Sequence, residues 1–201
     1  AIRTKAGLMD VSGLKKTHLV GPHAQAVLEY VTTRDTTKVY PGKSVYACML
    51  NDRGMFTDDC IIYRTGPNSW MLVHGSGSAH EEVVKQSLGR NVAVLFDDDL
   101  HDLSLQGPVA VDFLAQHVPG IRDLKYFHHM QTTLFGAPVM ISRTGYTGER
   151  GYEIFCRGQD AVAIWDRILD EGKSMGIIPV CFSVLDMLRV ESYLLFYPYD
   201  N

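Results

Sequence analysis

Leu19-Val-Gly-Pro-His-Ala-Gln-Ala-Val-Leu28 is echoed further on by Leu105-Gln-Gly-Pro-Val-Ala-Val-Asp-Phe-Leu114. Each stretch reads as a strand, a Gly-Pro corner and a helix. Proline suits the first turn of a helix, because its missing N–H would have had no intrahelical partner there. Gly-Pro before a helix is common, but the longer match favours a real duplication. Two such strand-plus-helix units predict an α+β fold with helices on one side of antiparallel sheets.

A meander fills the space between the two copies. Val45–Leu50 reads as a strand, Asn51-Asp-Arg-Gly54 as its turn, and Asp59–Arg64 as the next strand. Trp70–Val73 follows, then a helix from about Ala79 to Leu88, a strand over Asn91–Phe96 and the acidic run Asp97-Asp-Asp99. The last third reads as a hairpin over Val139–Cys156, a helix from about Ala161 to Met175, and a helix from about Val184 to Leu195. Asp160 and Ser183 stand where N-caps belong. No linker is long enough to separate independent domains, so residues 1–201 read as one region with sub-lobes of about 1–100 and 101–201.

Composition narrows the function. Hydrophobic residues make up 46% and charged residues 21%, the balance of a soluble globular protein. A net charge of −4 leaves no electrostatic footprint for nucleic acid or an anionic membrane. No apolar run approaches the roughly 18 residues that span a bilayer. The four cysteines are far apart and form no Cys-x-x-Cys pair, so they read as buried, reduced thiols and not as a metal or redox site. The expected setting is the cytoplasm, or the mitochondrial matrix if a transit peptide was removed. A start without Met and an end directly after Tyr-Pro-Tyr-Asp suggest a fragment of a longer protein.

Alternation along the strands sorts the candidate site residues. Asp59, Ile61 and Tyr63 share one face, and Asp58, Cys60, Ile62 and Arg64 the other. Tyr46, Cys48 and Leu50 share a face of the facing strand. One carboxylate and two tyrosines can thus line one surface, or be a turn aspartate and two surface tyrosines. Glu191 falls on an apolar stripe with Val184, Leu188 and Leu195. A buried carboxylate there needs a partner, either the N–H groups of a ligand or an arginine such as Arg143 or Arg189. The glycines of Gly145-Tyr-Thr-Gly-Glu-Arg-Gly151 suit a tight turn but match neither a P-loop nor a dinucleotide fingerprint. Beyond it, Tyr152, Ile154 and Cys156 face one way, Glu153 and Phe155 the other. His74 follows a strand and can reach a pocket, whereas His128 and His129 point to opposite faces. Asp97, Asp98, Asp99 and Asp102 read as a solvated loop.

Several of these segments together resemble a known family. Gly7–Ser12, Asn51–Asp59, Leu105–Pro108, Arg143–Glu149 with Gly151–Ile154, and Arg189-Val-Glu191 resemble the folate-binding part of the glycine-cleavage T-protein (aminomethyltransferase) superfamily, in order along nearly the whole chain. The resemblance implies a tetrahydrofolate-dependent one-carbon transferase, with a C-terminal β-barrel missing here. It places the family's core aspartate on Asp59, its pterin-binding glutamate on Glu191, and folate-contacting tyrosines on Tyr46, Tyr63 and Tyr146. Arg143 and Glu153, flanking the glycine-rich turn, complete the expected cofactor-binding set.

Two departures bear on the donor. The ending Ser192-Tyr-Leu-Leu-Phe-Tyr-Pro-Tyr-Asp200 replaces the family's Ala-Gly and Leu-Tyr-Gly, and the family's Asn after the third meander strand is replaced near His74-Gly75. The aromatic ending is similar to that of folate-dependent aromatic O-demethylases, and sulfonium demethylases are also relatives. The resemblance therefore implies methyl transfer to folate N5, with Asp59 near N5 and Tyr197 offsetting charge on a leaving phenolate. The alternatives are an aminomethyltransferase served by a lipoyl carrier protein, a sulfonium demethylase, and a folate binder without transfer chemistry.

Overall fold

The computed structural model describes residues 1–200. In chain order its strands are β1 (Ala6–Asp10), β2 (Lys15–Val20), β3 (Ser44–Leu50), β4 (Phe56–Gly66), β5 (Ser69–His74), β6 (Ala93–Phe96), β7 (Leu100–Gln106), β8 (His129–Leu134), β9 (Ala137–Ser142), β10 (Gly151–Arg157) and β11 (Ile177–Pro179). Its α-helices are α1 (Ala24–Val31), α2 (Ala79–Ser87), α3 (Ala110–Leu114), α4 (Gly158–Gly172) and α5 (Phe182–Glu191). They form two compact units. One holds residues 13–98 and the segment from Phe196 onward; the other holds residues 1–12 and 99–195. Among the described residues no helix is long and apolar enough to cross a membrane.

The unit of residues 13–98 is built on an antiparallel sheet of order β3-β4-β5-β2-β6. Leu19, Ala47, Met49, Cys60, Ile62, Trp70 and Leu72 point to one face and bury against Ala24, Val27, Leu28, Ala79 and Val83 from α1 and α2. The period of two read along β3 and β4 is the one observed: Tyr46 and Leu50 are exposed on either side of the buried Ala47 and Met49.

The other unit carries a sheet of order β11-β1-β7-β10-β9-β8, antiparallel except for the β1–β11 pair. Leu8, Leu103, Leu105, Ile141, Tyr152, Ile154 and Cys156 share a core with Phe113, Leu114, Ile164 and Ile168 of α3 and α4. Met9 points to the opposite side and packs with Ile2, Leu185 and Leu188, which seats α5 there.

The duplication is real at the level of single hydrogen bonds. Gly21 and Gly107 take φ of 142° and 131°, a region open mainly to glycine. Ala24 N donates to Gly21 O at 3.1 Å, and Ala110 N to Gly107 O at 3.0 Å. His23 N donates to Asn91 O, and Val109 N to Lys5 O, both at 3.2 Å. A Cβ on Gly21 would meet Asn91 O, and one on Gly107 would meet Lys5 O. In each copy the corner lies against backbone from the stretch leading into a strand, β6 or β1, that pairs with the strand before the corner.

Four local expectations are corrected. Helix α4 begins at Gly158 after Arg157, which makes no side-chain cap bond, so Asp160 sits inside the first turn, where its charge favours the helix dipole. Likewise α5 begins after Cys181, and Ser183 lies inside it. That helix also stops at Glu191, short of Leu195. Tyr193 adopts φ 57°, Leu194 N bonds Arg189 O at 2.9 Å and Tyr193 N bonds Val190 O at 3.1 Å, which is a Schellman ending built on a non-glycine residue. The acidic stretch is not all solvated: Asp97 is buried and paired with His18 at 3.1 Å, and Asp102 is fully buried within β7.

Candidate functional site

In the unit of residues 13–98, the structure joins two of the expected residues. The Tyr46 hydroxyl donates to Asp59 Oδ2 at 3.0 Å. Cys48 lies directly across from Asp59 in the β3–β4 ladder, and its Sγ is 3.9 Å from the Tyr46 hydroxyl. Burial raises the Asp59 carboxyl above its usual range and the neighbouring Asp58 charge adds to this, while the Tyr46 hydrogen bond opposes it. Burial and then the Asp59 charge push the Tyr46 phenol up as well, so Tyr46 stays a proton donor. Tyr63 follows on the same face two strand steps along and is fully buried.

On the other face of β4, alternation drives Asp58 under α2, where it is fully buried. Its Oδ2 accepts from His74 Nδ1 at 2.8 Å and from Ala79 N, the first residue of α2, at 3.0 Å. Its Oδ1 accepts from Asp59 N at 2.9 Å. Gly77 must be glycine, because a Cβ there would overlap the Asp58 carboxyl. The strand pattern assigned Asp58 to this face, but nothing in it signalled that His74 would be its partner.

Tyr197 is not joined to this group. Its ring lies 5.3 Å from that of Phe56, and it lines a cleft of about 370 Å³ with Lys15, Thr57, Ser76, Gly77, Ser78 and Glu81. Asp59 is not among the lining residues.

In the unit of residues 1–12 and 99–195, the register lines up His129, Ser142, Glu153, Ser104 and Met9 side by side across β8, β9, β10, β7 and β1. The four polar members are all buried, with Glu153 8% exposed. They occupy the face opposite the α3–α4 core. The Thr144 hydroxyl donates to Glu153 Oε2 and lies 2.9 Å from Ser142 Oγ. A row that runs across strands is invisible in any one strand, so only Glu153 was singled out from the sequence.

The glycine-rich turn is folded around Gln106, which the sequence reading passed over. The Gln106 amide is fully buried and donates to Ser104 Oγ at 3.0 Å and to Thr144 O at 3.1 Å, while its Oε1 accepts from Thr147 at 3.2 Å. A Cβ on Gly145 or Gly151 would overlap that amide. Arg143 donates to Leu124 O at 3.1 Å, and the Tyr146 hydroxyl donates to Leu195 O. Both are therefore engaged in holding backbone.

The expectation of a buried Glu191 is overturned. As the last residue of α5, just before the left-handed break, it is exposed. It pairs with Arg3 at 2.8 Å, not with Arg143 or Arg189. Arg3 also reaches Glu149 at 3.1 Å and Leu188 O at 3.3 Å, so it ties the glycine-rich turn to the end of α5. Arg189 is the buried charge of the helix, held by Asp186 at 2.8 Å.

Pterin edges present amino and ring N–H donors, so the test of fit to a folate is a buried carboxylate in a polar, hydrogen-bonding surround. Glu153 in its row meets that description.

Comparison with known proteins places these features. The family described as "GCVT N-terminal domain" matches residues 1–201. A heme-dependent oxidative N-demethylase gamma subunit of Ectopseudomonas mendocina is 73% identical over 201 residues, covering 100% of this chain and 54% of that protein. A trimethylamine-oxide aldolase of Ruegeria pomeroyi is 34% identical over 212 residues, covering 100% of this chain and 27% of that protein. The crystal structure of the glycine cleavage system aminomethyltransferase T from Bartonella henselae superposes with a TM-score of 0.87 at 32% identity, covering 97% of this chain and 53% of that one. The chain thus spans about half the length of the first of these relatives, and less of the second. With its family match running end to end and its fold shared, the chain belongs to the GCVT N-terminal domain family of the glycine-cleavage T-protein superfamily.

Proposed function

We propose that the protein containing this chain transfers a one-carbon unit in a tetrahydrofolate-dependent reaction. The observation that carries the reading is the Tyr46–Asp59 pair, a carboxyl with raised proton affinity held by a phenol that stays protonated. Tetrahydrofolate, when bound, supplies the nitrogen that accepts the carbon. Tyr46 fixes Asp59 through Oδ2, which leaves Oδ1 as the atom that holds or releases a proton. Glu153 is the carboxylate suited to accept the pterin N–H groups, because its burial leaves few competing waters. Glu191 fits that role less well, since it is exposed and already paired with Arg3. In this reading Tyr63 supports Asp59 within its own unit, and Tyr146 and Arg143 support Glu153 within theirs.

For the donor, N-methylated amines are supported by the names of two relatives, an oxidative N-demethylase and a trimethylamine-oxide aldolase. Oxidative removal of an N-methyl group releases carbon at the oxidation level of formaldehyde, which would reach folate as a methylene. A protein partner that performs this release is part of the proposal, because the first relative is named as a subunit. Methyl transfer from an O-methyl aromatic donor is a second reading, carried by Tyr197, which lines the cleft with its ring 5.3 Å from that of Phe56.

The test incubates the full-length protein with tetrahydrofolate and, separately, formaldehyde, vanillate, a sulfonium, and glycine with a lipoyl carrier protein. Mass spectrometry of the folate separates methylene from methyl. An accelerated methylene product from formaldehyde supports the first reading, and a methyl product from vanillate supports the second. No acceleration with any donor overturns both.

A further inference from the structure

Two adjacent carboxylates, Asp58 and Asp59, project to opposite faces of β4, and only Asp59 belongs to the proposed site. Asp58 accepts three hydrogen bonds: from His74 Nδ1 at 2.8 Å, from Ala79 N at 3.0 Å and from Asp59 N at 2.9 Å. The last of these holds the peptide that carries Asp59. The side chains of Asp58 and His74 are both 0% exposed. His74 Nε2 is buried and has no hydrogen-bond partner among the described residues. The ring is therefore held by the protein through Nδ1 on Asp58 alone.

We propose that the buried His74–Asp58 pair is a positioning device behind Asp59: Asp58 clamps the Asp59 peptide, and His74 holds Asp58 and tempers its charge toward Asp59. The proposal rests on the reading of Asp59 as a proton-handling group. The physical basis is that charges on the two faces of one strand are separated by little more than a peptide and little water, so they are poorly screened. Asp58, on the same strand, and His74, on β5, act on Asp59 with opposite signs, since Asp58 raises its carboxyl and His74 lowers it. The titratable groups around Asp59 are Tyr46 and Cys48 on β3, Asp58 beside it and His74 on β5. Asp58 bonds His74, Cys60 on β4 and Lys15 on β2 pair with it in the sheet, and α2, whose first residue also bonds Asp58, carries His80 and Glu81. His80 is engaged elsewhere, with Thr17 at 2.9 Å.

The opposite signs give a test that a merely structural role would not pass. Label the aspartate carboxyl carbons with ¹³C in the full-length protein and follow the Asp59 titration by NMR, without folate. His74→Gln should move the Asp59 midpoint up and Asp58→Asn should move it down, with the double variant between them. Movement of both in the same direction, or of neither, overturns the proposal. If Asp58→Asn does not fold, His74→Gln decides alone: an upward shift supports the device and an unchanged midpoint refutes it. The acidic limb of the transfer pH profile should then shift with the NMR midpoint. Absence of any transfer in the unaltered protein would refute the proposed function and leave the titration result standing.

Discussion

The Tyr46 hydroxyl bonds Asp59 Oδ2 along a diagonal of the ladder, because Tyr46 pairs directly with Ile61 and Asp59 with Cys48. Diagonal neighbours lie within reach of a long aromatic side chain. The geometry brings the phenol in from one side and leaves the second carboxylate oxygen free of it.

Replacing Asp59 by Asn should lower one-carbon transfer by about 10²- to 10⁴-fold, the usual contribution of a positioned acid or base. The same change should stabilise the fold near neutral pH. The folded carboxyl lies above its ordinary value of 3.8, so its contribution is fully present below that value and is lost as pH rises through the folded value. Asn keeps an oxygen for Tyr46 and has no charge to bury. Thermal melts of both proteins should differ at pH 7 and converge below about pH 3.8.

Tyr46→Phe removes the hydrogen bond that opposes the rise in Asp59. The Asp59 midpoint should move further up, and the protein should lose about 0.5–1.5 kcal/mol. Carboxyl NMR and urea denaturation read the two effects.

Glu153→Gln should weaken folate binding by roughly 10- to 100-fold, matching the loss of one charge-assisted hydrogen bond. Glu191→Gln should leave the affinity within about twofold and cost under about 1 kcal/mol of stability, as for an exposed ion pair. Calorimetric titration of tetrahydrofolate into the two variants separates them, and the reverse order would return the role to Glu191.

Gly21→Ala and Gly107→Ala should each destabilise by more than about 1 kcal/mol, since both combine a positive φ with a backbone oxygen in the path of the new methyl. Tyr193→Gly should act in the opposite sense. Tyr193 holds φ 57° and is 94% exposed, so glycine there should relieve strain of about 1 kcal/mol. Denaturant midpoints test all three.

Much of this was legible from local pattern. The duplicated Gly-Pro corners, the face of β3 that carries Tyr46 and the face of β4 that carries Asp59 depend on steric rules that act within a few residues. Glu191 misled because its stripe was extended through Leu195, whereas the left-handed turn at Tyr193 ends the helix first, and no glycine marked that turn. The row of Ser104, Glu153, Ser142 and His129 needs the register of four strands, and the Asp58–His74 bond needs the β4–β5 pairing. Gln106 went unnoticed because its importance comes from the glycines packed on it, which lie far along the chain.

The chain enters the second unit, leaves it and returns. Strand β1, at residues 6–10, pairs with β7 at residues 100–106 and with β11 at residues 177–179. On a ribosome, β1 is made before both of its partners and waits until the whole intervening unit has emerged. Residues 13–98 are contiguous and can close early, whereas the sheet that bears Glu153 is assembled around a strand kept waiting. Synthesis order thus makes the Asp59 half the early product and the Glu153 half the late one. A pause or truncation before residue 177 would leave β1 without its parallel neighbour β11.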